Sequence, residues 1–404
     1  MAVTLRALQT VVPPTILIQE QVRDIFAAQP GLSRLAQRLV STSFNVSGID
    51  TRHTVIAELT LDNDAAAPQF FDAKQQLLLV PSTRVRNELY IEEATKLFVE
   101  AGRRALAACP DIRPEDVTHV VTVSCTGFYA PGPDYMLVRE LGLGAGTQRY
   151  HLGFMGCYAA MPALRTAKQF VEADPNAVVL VVSAELCSLH LRTSSDPDTI
   201  VASSLFSDGA AAGIVSARAP LPGEKALGLD LFETIITPVG EGDMAWKIGD
   251  EGFEMILSTY VPHIIDEHIE GALAPLFARD ASISRQLGDG VLAPERDAAA
   301  GATLGAPVLT LAPSLSSVIE HWAFHPGGRS ILDKTEAKLQ LRADQLVPSR
   351  ETLRTNGNMS SATILFVMKA ILDGPATADG ERVCAMAFGP GLTVESGLMT
   401  VIEG

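Results

Sequence analysis

The sequence predicts an α/β fold made from two copies of one β–α module, and three observations carry that reading. Short apolar, β-rich runs alternate with stretches of helical periodicity: THVVTVSCT at 118–126, NAVVLVVSAE at 176–185 and AAAGIVS at 210–216 stand among helical segments. A strand-like run ends in a polar residue twice, HVVTVSC at Cys125 and VIEHWAFH at His325. The distance from that residue to a small-residue helix then repeats, 32 residues from Cys125 to Cys157 and 33 from His325 to Asn358. Alternation of this kind gives mostly buried sheets covered by helices. The recurring spacing makes the chain a duplication, residues 1–230 carrying a cysteine and 231–404 carrying a histidine and an asparagine, with the copies facing each other across a pseudo-twofold axis.

Along the chain, the first segment MAVTLRALQTVVPPTILIQEQ has neither the apolar core nor the cleavage site of a signal peptide. No run reaches the roughly 18–20 apolar residues of a membrane span, so a cytoplasmic protein is expected. A linker-like LVPSTRVRNELY at 79–90 precedes a helix over 91–109. Further helices follow Cys157, cover 262–280 and open at GNMSSATILFVMKAI, and a last β-rich run, RVCAMAFGPG, covers 382–391. The Ala/Gly/Pro-rich stretch near 281–312 is too long for an ordinary connection and reads as a surface insertion.

Composition narrows the function. Lys and Arg total 31 against 47 Asp and Glu, a net charge of −16 over 404 residues, and such a field repels nucleic acid and anionic membranes. A phosphate-bearing ligand needs a local basic patch. The five cysteines, at 109, 125, 157, 187 and 384, are scattered, with no C-x-x-C pair and no zinc-finger spacing, so neither structural disulfides nor a metal is expected.

Cys157 stands apart because GFMGCYAAM places it at the first turn of a helix. Unpaired N–H groups and the helix dipole there favour a thiolate, and Gly153 and Gly156 let the chain bend and an acyl group approach. His325 follows a strand and precedes Pro-Gly-Gly, which points its imidazole into a cleft where it can pair with the thiolate. Asn358 offers an uncharged amide to a developing oxyanion. Of the other histidines, 263 and 268 lie on a polar helix and 53, 119, 151 and 321 lack catalytic context; His190 is less easily set aside.

With these residues in place, the sequence resembles the type III polyketide synthases, the chalcone synthase family of the thiolase superfamily. The likeness is carried by CTGFYAPGPDY (125–135), GFMGCYAAM (153–161), SAELCSLHLR (183–192), SLFSDGAAA (204–212), HPGGRSIL (325–332), GNMSSA (357–362) and AFGPGLTVE (387–395). CTGF and FMGCYAAM look like the bacterial branch that makes alkylpyrones and alkylresorcinols from fatty acyl starters.

The resemblance implies a five-layered αβαβα homodimer using an acyl-CoA starter and malonyl-CoA, with no metal and no cofactor besides these coenzyme A thioesters. Cys157 would carry the acyl group, paired with His325 as thiolate and imidazolium. His325 and Asn358 would stabilise the enolate left by decarboxylation, and Phe206 would disfavour the malonyl carboxylate and shield the nucleophile from water. Thr126, Cys187, His190, Trp246, Met255, Ser360 and the turn Gly389, Pro390, Gly391 would shape the cavity. The small Thr126 and Cys187 favour a medium or long fatty acyl starter, Met255 replaces a second gating Phe of plant enzymes, and Trp246 narrows the elongation space. Gly327, Gly328 and Arg329 would meet coenzyme A, and Arg52, with Arg34 and Arg38, would stand in for the lysine-rich patch of plant members. Starter length, the number of extensions and the mode of ring closure stay open. So do three alternatives: a ketoacyl-ACP synthase III-like enzyme of a single condensation, a tetrahydroxynaphthalene-type synthase using malonyl-CoA alone, and a noncatalytic binding protein on the same scaffold.

Overall fold

A computed structural model describes residues 2–61, 63–287 and 315–404. The insertion expected near 281–312 falls outside the described residues from position 288 onward; its first residues form the helix Ala281–Leu287.

Nine strands form one sheet, and its order shows the duplication. From one edge, His321–Phe324, Arg382–Gly389, Thr393–Glu403 and Lys225–Ile236 lead to Thr4–Val11, followed by Asp208–Ser216, Val178–Leu186, His119–Ser124 and Gln148–Gly153. Each side carries the same motif. On one side His119–Ser124 runs parallel to Val178–Leu186, which pairs antiparallel with Asp208–Ser216. His321–Phe324 likewise runs parallel to Arg382–Gly389, which pairs antiparallel with Thr393–Glu403. The two sides join where Thr4–Val11 pairs with Lys225–Ile236, Thr4 opposite Gly228. Position 230 lies inside that second strand, Lys225–Ile236.

The layers follow from hydrophobic patterning. Helices Ala160–Ala173 and Thr363–Leu372 are buried along most of their length and each packs on strands of both sides, forming the middle layer. Val181, Met161, Leu164, Ile364, Leu365, Val383 and Val401 belong to this central core. Helix Thr83–Ala107 covers the outer face of one side, and Val261–Ala278 with Arg329–Lys338 and Val347–Asn356 covers the other. The result is αβαβα.

The segment read as a linker at 79–90 is mostly helix. Ser82 caps Thr83–Ala107 by accepting from the Val85 N–H, and Arg86 and Tyr90 are buried as part of that helix. The charged look of RVRN concealed a start that Ser82 defines.

Candidate active site

Cys157 is held by two unusual backbone positions. Phe154 has φ +60 and Gly156 φ +84, so the chain leaves strand Gln148–Gly153 through left-handed turns and presents Cys157 in a tight turn just before helix Ala160–Ala173. Gly156 is packed directly against the Pro390 ring. Both the conformation and the contact exclude a side chain there.

Opposite, His325 directly follows strand His321–Phe324 and donates its N–H to Met386 O at 2.8 Å, continuing the parallel ladder by one residue. Its ring is buried, and neither Nδ1 nor Nε2 has a hydrogen-bond partner among the described residues. An unpartnered buried imidazole facing a cavity is a site prepared for a ligand.

Asn358 enters through a short parallel bridge to Phe206: its N–H donates to Leu205 O and its carbonyl accepts from Ser207 N, both at 2.9 Å. Its Oδ1 accepts from Ser360 N at 2.9 Å, and the amide lowers the pKa of the Cys157 thiol. With its oxygen engaged, the amide keeps its N–H groups as donors for an oxyanion.

These groups meet in one cavity, lined by Cys157, His325, Asn358, Phe206, Ser360, Trp246, Met255, Gly327 and Pro390 among others. Trp246 and Met255 are cross-strand partners on the hairpin Met244–Gly249 and Gly252–Leu257, and Trp246 Nε1 donates to Cys125 O at 2.8 Å. Ser360, at φ +46, bonds Cys125 Sγ at 3.3 Å and lowers the pKa of the Cys157 thiol. Gly327, Leu257 and Ile331 also line a second, outer cavity that includes Gly328 and Arg329. A third space, lined by Cys187, His190, Leu191 and Ala202, shares Phe206, Trp246 and Met255 with the first as common walls.

Several residues lie elsewhere than the sequence reading put them. Thr126 lines none of these spaces; its hydroxyl donates to Glu185 Oε2 at 3.0 Å and accepts from Leu186 N at 2.9 Å. Gly389 and Gly391 are absent from the cavity wall, Gly389 lying directly beneath the Tyr158 ring. His190, by contrast, does line the third space, where it is held as a strut: one nitrogen contacts Thr126 O at 2.8 Å, the other accepts from Phe253 N at 3.0 Å, and the ring stacks on Phe253. Arg52 is fully buried, with Nη1 donating to Ser203 O and Phe206 O, so it offers nothing to a coenzyme A phosphate at the surface.

Burial works against the expected ion pair. Burial pushes the Cys157 thiol up to about 12, against the hydrogen bonds from Ser360 and Asn358, and burial pushes His325 down to about 3. Loss of water outweighs the helix dipole for each group taken singly. A thiolate here needs a compensating charge that arises with it.

Glu185 went unread in the sequence. It is fully buried and accepts from Ser124 Oγ, Cys125 N and Thr126 Oγ1 and from Ser361 of the opposite half. Burial raises its pKa, opposed by those bonds. Its only sequence signal was a carboxylate ending the apolar strand VVLVVSAEL.

Comparison with known proteins agrees with this geometry. Residues 2–219 match the N-terminal domain of chalcone and stilbene synthases and residues 314–403 match the C-terminal domain. The chain is 32% identical over 328 residues to Pks18 of Mycobacterium tuberculosis, described as an alpha-pyrone synthesis polyketide synthase-like protein, across 80% of this chain and 75% of the relative. It is 29% identical over 389 residues to type III polyketide synthase C of Arabidopsis thaliana, across 95% and 90%. Among solved structures, PKS-I from the brown alga Ectocarpus siliculosus superposes with a TM-score of 0.83 at 24% identity, covering 100% of this chain and 99% of that one. The 1,3,6,8-tetrahydroxynaphthalene synthase of Streptomyces coelicolor superposes at 0.79, with 24% identity and coverage of 99% and 100%. A cysteine, an imidazole and a carboxamide gathered from two halves of a thiolase-like fold, in a chain matched by both family domains, place this protein in the chalcone and stilbene synthase family, the type III polyketide synthases.

Proposed function

We propose that this acyl-condensing transferase loads a medium or long fatty acyl group from coenzyme A onto Cys157, extends it with malonyl-CoA and closes the product to an alkylpyrone or alkylresorcinol. The observation that carries the reading is the single cavity in which Cys157, His325, Asn358 and Phe206 meet. Proton transfer from Cys157 to His325 frees the sulfur to attack the starter carbonyl, and coenzyme A leaves as the thiol. Loss of carbon dioxide from malonyl-CoA leaves an enolate, whose oxygen takes hydrogen bonds from Asn358 Nδ2 and the imidazole. That enolate attacks the Cys157 thioester, forms the carbon–carbon bond and returns the thiolate. Phe206 presents an apolar face that leaves the malonyl carboxylate poorly solvated, which favours its departure.

The outer cavity along Gly327, Gly328 and Arg329 is the proposed approach of the pantetheine arm, since Gly327, Leu257 and Ile331 border both spaces. The neighbouring space along Cys187 and Ala202 supports a long aliphatic starter, since only Phe206, Trp246 and Met255 divide it from the nucleophile's cavity. A second copy of the chain is proposed at the edge strand Gln148–Gly153, where Tyr150 is exposed and Arg149 stacks on Tyr135. No described helix is long and apolar enough to cross a membrane.

Incubation with malonyl-CoA and acyl-CoAs of graded length, read by product mass, tests the reading. Products grown from C8 to C18 starters are expected. Product from malonyl-CoA alone, unchanged by any starter, would favour the malonyl-only synthase instead.

A further inference from the structure

Arg52 is a buried cation whose place the reaction scheme leaves unexplained. It sits on strand Thr51–Thr54 with no exposed surface. Nη1 donates to Ser203 O and Phe206 O, both at 2.8 Å, while Nε and Nη2 have no partner among the described residues. The nearby carboxylate of Asp208 is committed to Ser188 N and Oγ and to Val55 N. Burying a guanidinium with most of its donors unfilled costs several kcal/mol, to order of magnitude, so packing alone is a poor reason to keep it.

Its neighbours supply a better one. One bonded carbonyl belongs to Phe206, whose ring lines the catalytic cavity. On the other flank Gly357, at φ +71, lies against the Arg52 stem so closely that a Cβ there would fall 2.9 Å from Cγ. The next residue is Asn358, bridged to Phe206. Arg52 therefore stands directly behind the strip that carries both the apolar gate and the amide.

Granting the synthase reading above, we propose that Arg52 is a positioning residue for malonyl-CoA decarboxylation, fixing Phe206 and Asn358 as one unit from behind. In that step the bond between the carboxylate carbon and the α-carbon breaks, carbon dioxide leaves, and the electron pair passes to the thioester as an enolate. The negative charge moves from a carboxylate facing Phe206 to an oxygen facing Asn358, so the spacing of these two residues governs the barrier. Starter loading uses Cys157 and His325 and depends on that spacing far less.

The test separates the half-reactions in Arg52→Met and Arg52→Lys: acylation of Cys157 by an acyl-CoA, followed by intact-protein mass, and conversion of malonyl-CoA to acetyl-CoA and carbon dioxide. Arg52→Met is expected to lower the decarboxylation kcat about 30-fold or more, with KM for malonyl-CoA and the loading rate held within about three-fold. Arg52→Lys keeps the charge but not the two-carbonyl grip, and is expected to fall between, about five- to ten-fold below the parent. Equal losses in both half-reactions, or decarboxylation within about two-fold of the parent, overturn the proposal. If thermal melting shows Arg52→Met unfolded, the same ratio in Arg52→Lys decides. A parent that neither takes an acyl group nor releases carbon dioxide overturns the functional reading itself, and the role of Arg52 with it.

Discussion

Gly156 and Pro390 touch across the two halves of the chain so closely that a Cβ on Gly156 would lie 2.4 Å from Pro390 Cδ. Since Gly156 also has φ +84, Gly156→Ala carries both backbone strain and a steric clash. It is expected to lower stability by about 2–4 kcal/mol and to cut turnover about 100-fold or more by displacing Cys157. Chemical denaturation and product formation check the two effects.

Cys157→Ala should abolish product, since Cys125, the other described cysteine of the cavity wall, is engaged with Ser360 and has its thiol pKa pushed up by burial and by Glu185. Asn358→Ala should slow malonyl-CoA decarboxylation by about 10²–10³-fold and loading much less. Asn358→Asp should be at least as damaging to decarboxylation, because a carboxylate opposes the enolate. Product at the parental rate from Cys157→Ala would remove the nucleophile assignment.

On the proposed mechanism His325→Gln removes the proton acceptor of the thiol, which burial, the largest influence on it, pushes up to about 12 in the parent. A raised thiol pKa means the reactive anion appears only as pH rises. Alkylation of Cys157 by iodoacetamide in this variant is expected to climb about ten-fold per pH unit from 7 to 9 without levelling. A plateau below pH 8, read from the Cys157 peptide by mass spectrometry, would show that other groups ionise the sulfur.

Cys187→Phe and Thr126→Phe should now behave differently. Cys187 lines the space next to the nucleophile's cavity, so its enlargement is expected to shift starter preference toward shorter acyl chains. Thr126 is tied to Glu185 and Leu186, so Thr126→Phe is expected to cost about 2–4 kcal/mol of stability through the broken network and overpacking. Competition between C8 and C16 acyl-CoA and denaturant titration distinguish these outcomes.

The sequence made the repeat legible because Cys125, Cys157, His325 and Asn358 keep nearly the same spacing in both halves, and local chemistry then assigned each a role. Glu185 was not legible, since its meaning comes from Ser124, Thr126 and Ser361, which only the folded sheet brings around it. Arg52 was misread for the complementary reason. An arginine is assumed to face water unless something buries it, and here Gly357 and the Phe206 carbonyl do so from 150 or more residues away. Thr126 was read as cavity wall because a small residue says nothing about which side of a loop it faces.

Pairing of Thr4–Val11 with Lys225–Ile236 zips the two repeats into one sheet, and it sets when the chain becomes reactive during synthesis. A nascent polypeptide that has emerged only as far as the first repeat owns the sulfur but neither the base nor the amide that activate it. On the proposed mechanism, capture of a thioester therefore waits until the carboxyl-terminal strands dock.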